Sequence, residues 1–86
     1  MRSVSMYEVE DWLPEDVKKL KRAALSGDTE AEFGIGVLYG DLSNNTGDNN
    51  TADIAARFLA RAAKKGHSQA ISFFSNVGMN WRDYDY

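Results

Sequence analysis

His67 is the only histidine in the chain and there is no cysteine, so imidazole and thiolate chemistry have one residue between them. A structural or catalytic zinc site needs three or four such ligands, with carboxylates completing the set. No carboxylate spacing around His67 supplies them, and its place just after Gly66, at the start of an expected helix, suits an exposed or capping side chain. Oxygen ligands are denser between Asp41 and Asn50, where Asp41, Asn45, Asp48 and Asn49 lie close together. Counted from Asp41, however, the sixth position of a calcium loop is Thr46 and no glutamate stands at the twelfth. A solvated loop is the reading this composition favours. Gly34, Gly36 and Gly40 do not fit the GxGxxG spacing of a phosphate loop and no strand precedes them, which leaves helix packing as their role. Glu30 and Glu32 are a carboxylate pair that nothing in the pattern buries or sets face to face, as acid–base chemistry requires. Asn44-Asn45-Thr46 and Asn49-Asn50-Thr51 match the glycosylation tripeptide, which matters only in a secreted chain. The expectation is no catalytic residue, no cofactor site and no metal site.

Two groups of residues have chemistry suited to recognition. Lys18 and Arg22 recur 39 positions on as Arg57 and Arg61, so stacking the helices that carry them would place four cations on one ridge. Such a ridge suits an acidic partner or a phosphate backbone. A solvated face stitched by Glu15 with Lys19 and Asp53 with Arg57 is the reading the acidic chain favours. The second group is the C-terminal run Trp81-Arg82-Asp83-Tyr84-Asp85-Tyr86. Tryptophan, tyrosine and arginine are enriched at binding hot spots, and the aspartates suit a basic partner. These aromatic residues, with Tyr7 and Trp12 near the other end, equally suit caps on the two ends of a stack. Both readings of the tail stand.

The elements that must position these residues are helices. Eighty-six residues with a formal charge of −3 make one domain, near the size at which a single core is marginal. Without cysteine, packing alone must stabilise it, and a reducing compartment is compatible. No apolar run reaches the roughly 20 residues of a membrane span, and the first eight residues lack the pattern of a secretory leader. A cytoplasmic protein is expected. Ser5 and Glu8 form a capping box for a short helix over Met6 to Leu13. Pro14 opens a second helix, ended by Gly27. A third begins at Asp28 or Thr29 and spreads Phe33, Ile35, Val37, Leu38 and Tyr39 over more than one face, as a helix between two neighbours does. Asp41 to Asn50 has the composition of a polar connection. Thr51 caps the next helix, which ends at Gly66, and a last one runs from Ser68 to Val77.

Arg22-Ala23-Ala24, Gly27 and Ala31 recur as Arg61-Ala62-Ala63, Gly66 and Ala70, each pair 39 residues apart. A fixed period of this length marks stacked helical units. Ala31, Ile35, Gly36 and Tyr39 resemble the first helix of a Sel-1-like repeat, and Ala55, Phe58-Leu59, Arg61-Ala62-Ala63 and Gly66 resemble its second. The resemblance implies an all-α fold, a short right-handed superhelix of four to five antiparallel helices related to tetratricopeptide repeats. It divides the chain into an N-terminal cap (1–13), the helix of a preceding half-repeat (14–27), one full repeat (28–66), a following half-repeat (67–78) and a C-terminal tail (79–86). Ser75 and Gly78 stand where the family has glycine and tyrosine, so the array is expected to end there.

One and a half repeats leave little groove to wrap a peptide. The expected function is therefore a small non-enzymatic protein–protein interaction module, an inhibitor that covers the surface of another protein. By analogy of size and charge, toxin-immunity proteins and phage anti-defence proteins of the anti-CRISPR type resemble it. The alternative is a structural or oligomerisation adaptor of a larger bacterial assembly. The expected partner is a protein with a basic surface, with no direct nucleic-acid binding and no membrane, and the chain itself is a monomer or homodimer.

Overall fold

The computed structural model of the chain describes residues 6–84. Proline lacks the N–H that a first helical turn leaves unpaired in any case, and Pro14 accordingly precedes α1 (Glu15–Leu25), its carbonyl accepting from Lys18 N at 2.9 Å. Glu15 and Asp16 in the first turn and Arg22 in the last complement the helix dipole. α2 spans Thr29–Thr46, α3 Asn49–Lys64 and α4 Ser68–Asn76, and a 3₁₀ turn, Trp81–Tyr84, follows. The described residues form an all-helical fold without a strand. α2 packs against both α1 and α3, and α3 also contacts α4 and the 3₁₀ turn.

The 39-residue echo in the sequence is a repeated device for turning the chain. At the end of α1, Gly27 N donates to Ala24 O and Asp28 N to Ala23 O, both at 3.1 Å. At the end of α3, Gly66 N donates to Ala63 O at 2.9 Å and His67 N to Ala62 O at 3.0 Å. This is the Schellman closure, which needs a left-handed residue; Gly27 and Gly66 hold φ of 101° and 90°. The residue after each glycine caps the next helix: Asp28 Oδ1 accepts from Ala31 N, and His67 Nδ1 from Ala70 N. The α1–α2 and α3–α4 turns thus share one hydrogen-bond pattern, and the same closure ends α4 at Gly78.

Expectations for two segments of the chain are corrected. The Asp41–Asn50 stretch is not a loop, because α2 runs on through Thr46 and only Gly47 and Asp48 separate it from α3. The polar side chains are accommodated by bonding back along the helix: Ser43 Oγ donates to Gly40 O at 2.8 Å and Thr46 Oγ1 to Leu42 O at 2.9 Å. Leu42 also anchors this last part of the helix to the core. Asp48, not Thr51, caps α3; it accepts from Asn50 N and from the Thr51 hydroxyl, which is itself buried. The second correction concerns Met6 to Leu13, which form no helix. Eight residues are too few for a helix to persist on local bonds alone, and this segment gains more by burying Met6 and Leu13 separately in the core. Ser5, expected to cap it, lies outside the described residues.

The core forms two neighbouring clusters. Ala24, Ile35, Tyr39, Ile54 and Phe58 meet between α1, α2 and α3, while Leu59, Ala60, Ala63, Ala70 and Phe74 meet between α3 and α4. Each large side chain fully buried there contributes roughly 1.5–3 kcal/mol. Gly36 brings α2 and α3 close together, since a Cβ at that position would lie 2.6 Å from Leu59 Cγ and 3.2 Å from Ala55 O.

Candidate functional site

Carrying α2 to Thr46 creates a surface that a long loop would have removed. The α2–α3 hairpin holds a groove of about 540 Å³, lined by buried Gly36, Ala55 and Leu59, by the more open Gly40, Ala52 and Ala56, and by Phe73, Met79 and Tyr84. Val37 borders it with 38% of its surface exposed, and Phe73 and Met79 are about equally open, at 41% and 40%. Among its lining residues the charged ones are carboxylates, Asp41 and Asp53. Asp53 Oδ2 accepts from Arg57 Nη2 at 3.0 Å, whereas Asp41 is exposed. The Ser43 hydroxyl donates to the Gly40 carbonyl, and the groove offers apolar surface and negative charge.

On the other side of α2 lies a buried polar cluster that sequence reasoning missed. Lys21 is fully buried, and its Nζ donates to Glu10 Oε1 at 2.8 Å and Oε2 at 2.6 Å. The Tyr39 hydroxyl donates to the same carboxylate at 3.0 Å, and Lys21 Nζ stands 4.9 Å above the Tyr39 ring. Burial holds the Lys21 ammonium below its ordinary pKa against the opposing pull of Glu10. Burial, with the Glu10 charge second, pushes the Tyr39 hydroxyl well above its own. A second staple joins the turns: Lys65 Nζ donates to buried Glu32 at 2.9 Å and to Gly27 O at 2.8 Å. The repeat itself held the signal for the first cluster, because Lys21 falls 39 residues before Ala60 and so sits in an apolar stripe. A lysine there requires a buried acceptor.

The cations expected to form a ridge are mostly engaged within the chain. Lys18 pairs with Glu15 at 3.5 Å and Arg57 with Asp53. Arg61 Nη2 donates to Tyr7 Oη at 3.1 Å and lies over that ring, and Arg22 is exposed. Arg61 also borders a hollow of about 460 Å³ together with Lys64 and Lys65, where Glu32 offsets part of the positive charge. In the tail, Trp81 and Tyr84 pack against the α3–α4 cluster, with the Tyr84 ring 6.1 Å from that of Phe74. Arg82 and Asp83 are exposed, the Arg82 guanidinium lying 5.1 Å from the Trp81 ring centroid. Asp85 and Tyr86 lie outside the described residues. His67 caps α4 with Nδ1, offers Nε2 to Glu30 at 3.0 Å and stacks on Phe33. No group of three or more histidine, cysteine or acidic residues among the described residues is placed to hold a metal ion, and none of their helices is long and apolar enough to cross a membrane.

Fold and groove together define a small helical protein with an open apolar channel. No protein-family model, curated protein or solved structure matches the chain.

Proposed function

We propose that this chain is a small non-enzymatic binding module that acts by occupying a surface of another protein, and that the α2–α3 groove is where it does so. The observation carrying this reading is the groove, a channel of about 540 Å³ with apolar walls and Val37, Phe73 and Met79 open beside it. Apolar concavities with a few placed polar groups are where ligands and partner segments bind. The Sel-1-like right-handed stack remains our reading of the architecture, supported by the matching turns at Gly27 and Gly66. An inhibitor of the toxin-immunity or anti-CRISPR type fits the size, the acidity and a single compact face.

Affinity capture from extracts of the source organism, comparing wild type with Val37→Glu and Phe73→Ser, tests this. A protein retained by wild type and lost by both variants supports the reading. Equal retention by all three removes the groove from it, and turnover of a substrate by the purified chain overturns it. Self-association is the second reading, favoured by Ile71 and Val77, exposed to 41% and 50% on and just beyond α4; sedimentation at increasing concentration separates the two.

A further inference from the structure

Gly40 lies in the interior of α2, and a Cβ there would meet no atom within 4 Å. Its absent side chain therefore serves no packing role, unlike that of Gly36. Helices lose stability at an interior glycine relative to alanine, and what Gly40 leaves open is space in the groove that it lines. Across from it, Ala52 and Ala56 stand one turn apart on α3 and keep that side shallow as well. The lining positions on α2 run from Gly36 to Asn44, about 12 Å of helix or two turns. An extended peptide would find no hydrogen-bonding edge here, since the backbone groups of α2 and α3 are paired within their helices. A helix laid into the groove needs none.

Charge decides which helix. Among the described residues the groove lining contains Asp41 and Asp53 and no cation, and although Arg57 holds Asp53, Asp41 makes no ion pair with any of them. We propose that the groove receives two turns of a cationic amphipathic helix from a partner protein. Its apolar side chains at i and i+4 lie over Gly40, Ala52 and Ala56, and a lysine or arginine lies beside Asp41. This rests on the binding-module reading above.

The test is selection of a displayed library of random 14-residue peptides on the full chain, with affinities then measured against three variants whose folding is checked by thermal melting. Gly40→Phe fills the groove beside α2, Val37→Glu adds charge to its lining, and Asp41→Asn removes the unpaired carboxylate. If Gly40→Phe fails to fold, Val37→Glu carries the comparison. The expected peptides combine leucine, methionine or phenylalanine at i and i+4 with a neighbouring lysine or arginine. They lose at least tenfold in affinity for the two groove variants and about two- to fivefold for Asp41→Asn, the range of an exposed ion pair. Peptides that depend on the groove but carry no basic residue overturn the cationic helix while leaving groove binding in place. Peptides indifferent to both groove variants, or no selected peptides at all, overturn the groove as a docking site.

Discussion

The Lys21 ammonium sits 2.6 Å from Glu10 Oε2 with no solvent exposure of its own, fastening the irregular segment before α1 to the helices behind it. Removing one partner of a buried pair strands the other's charge and costs about 3–5 kcal/mol, whereas replacing both with apolar residues is often neutral. Lys21→Met is therefore expected to lower stability by about that amount, and Glu10→Leu/Lys21→Met to recover part of the loss, the remainder being the Tyr39 hydroxyl left without its Glu10 acceptor. Urea unfolding of the three proteins measures it; a double variant as unstable as the single one contradicts the account.

Stability at high pH follows from Tyr39. Its folded pKa is raised by burial and the Glu10 charge, so above the ordinary tyrosine value of about 10 the unfolded chain releases a proton that the folded one keeps. The Tyr39 contribution is complete below that pH and falls by about 1.4 kcal/mol per pH unit above it. Lys21 acts in the opposite direction: its lowered folded pKa gives stability that grows as pH rises toward the ordinary lysine value. Subtracting the Tyr39→Phe profile from wild type largely cancels Lys21, and the difference should decline above about pH 10. A flat difference contradicts the raised pKa.

Two glycines one turn apart on α2 should respond with opposite signs. Gly36→Ala drives a methyl against Leu59 and the Ala55 carbonyl, and overpacking of this kind costs about 1–3 kcal/mol. Gly40→Ala meets open space and should stabilise α2 by about 0.5–1 kcal/mol. Thermal melting of the two variants decides the matter.

The tail divides by burial. Trp81→Ala and Tyr84→Ala uncover the α3–α4 cluster and should each cost about 1–3 kcal/mol, reduced from the value for a fully buried aromatic. For a domain of this size, 1 kcal/mol moves Tm by about 4–8 °C. Arg82→Ala and Asp83→Ala, both exposed, should stay within about 0.5 kcal/mol. Equal melting of all four variants contradicts the capping role of the two aromatics.

Much of the fold was legible because the repeat specifies local chemistry: Gly27 and Gly66 end helices, and Asp28 and His67 begin them. The expected loop between Asp41 and Asn50 failed because composition cannot register Ser43 and Thr46 bonding back along their own helix, or Leu42 reaching the core. The Met6–Leu13 helix failed because a capping box describes a start, while tertiary burial of Met6, Leu13 and Glu10 decided the path. The groove stayed hidden for the same reason as the loop, since its walls exist only if α2 is two turns longer. Trp81 and Tyr84 could be placed in the tail but not divided from Arg82 and Asp83, because that distinction depends on the position of Phe74.

Photo-crosslinking in cells of the source organism asks whether another protein sits in the α2–α3 groove. With p-benzoylphenylalanine in place of Val37 in the groove lining or of exposed Lys19 on α1, a discrete adduct to one protein is expected from position 37 and none from position 19. An adduct from position 19 with none from position 37 contradicts docking in the groove.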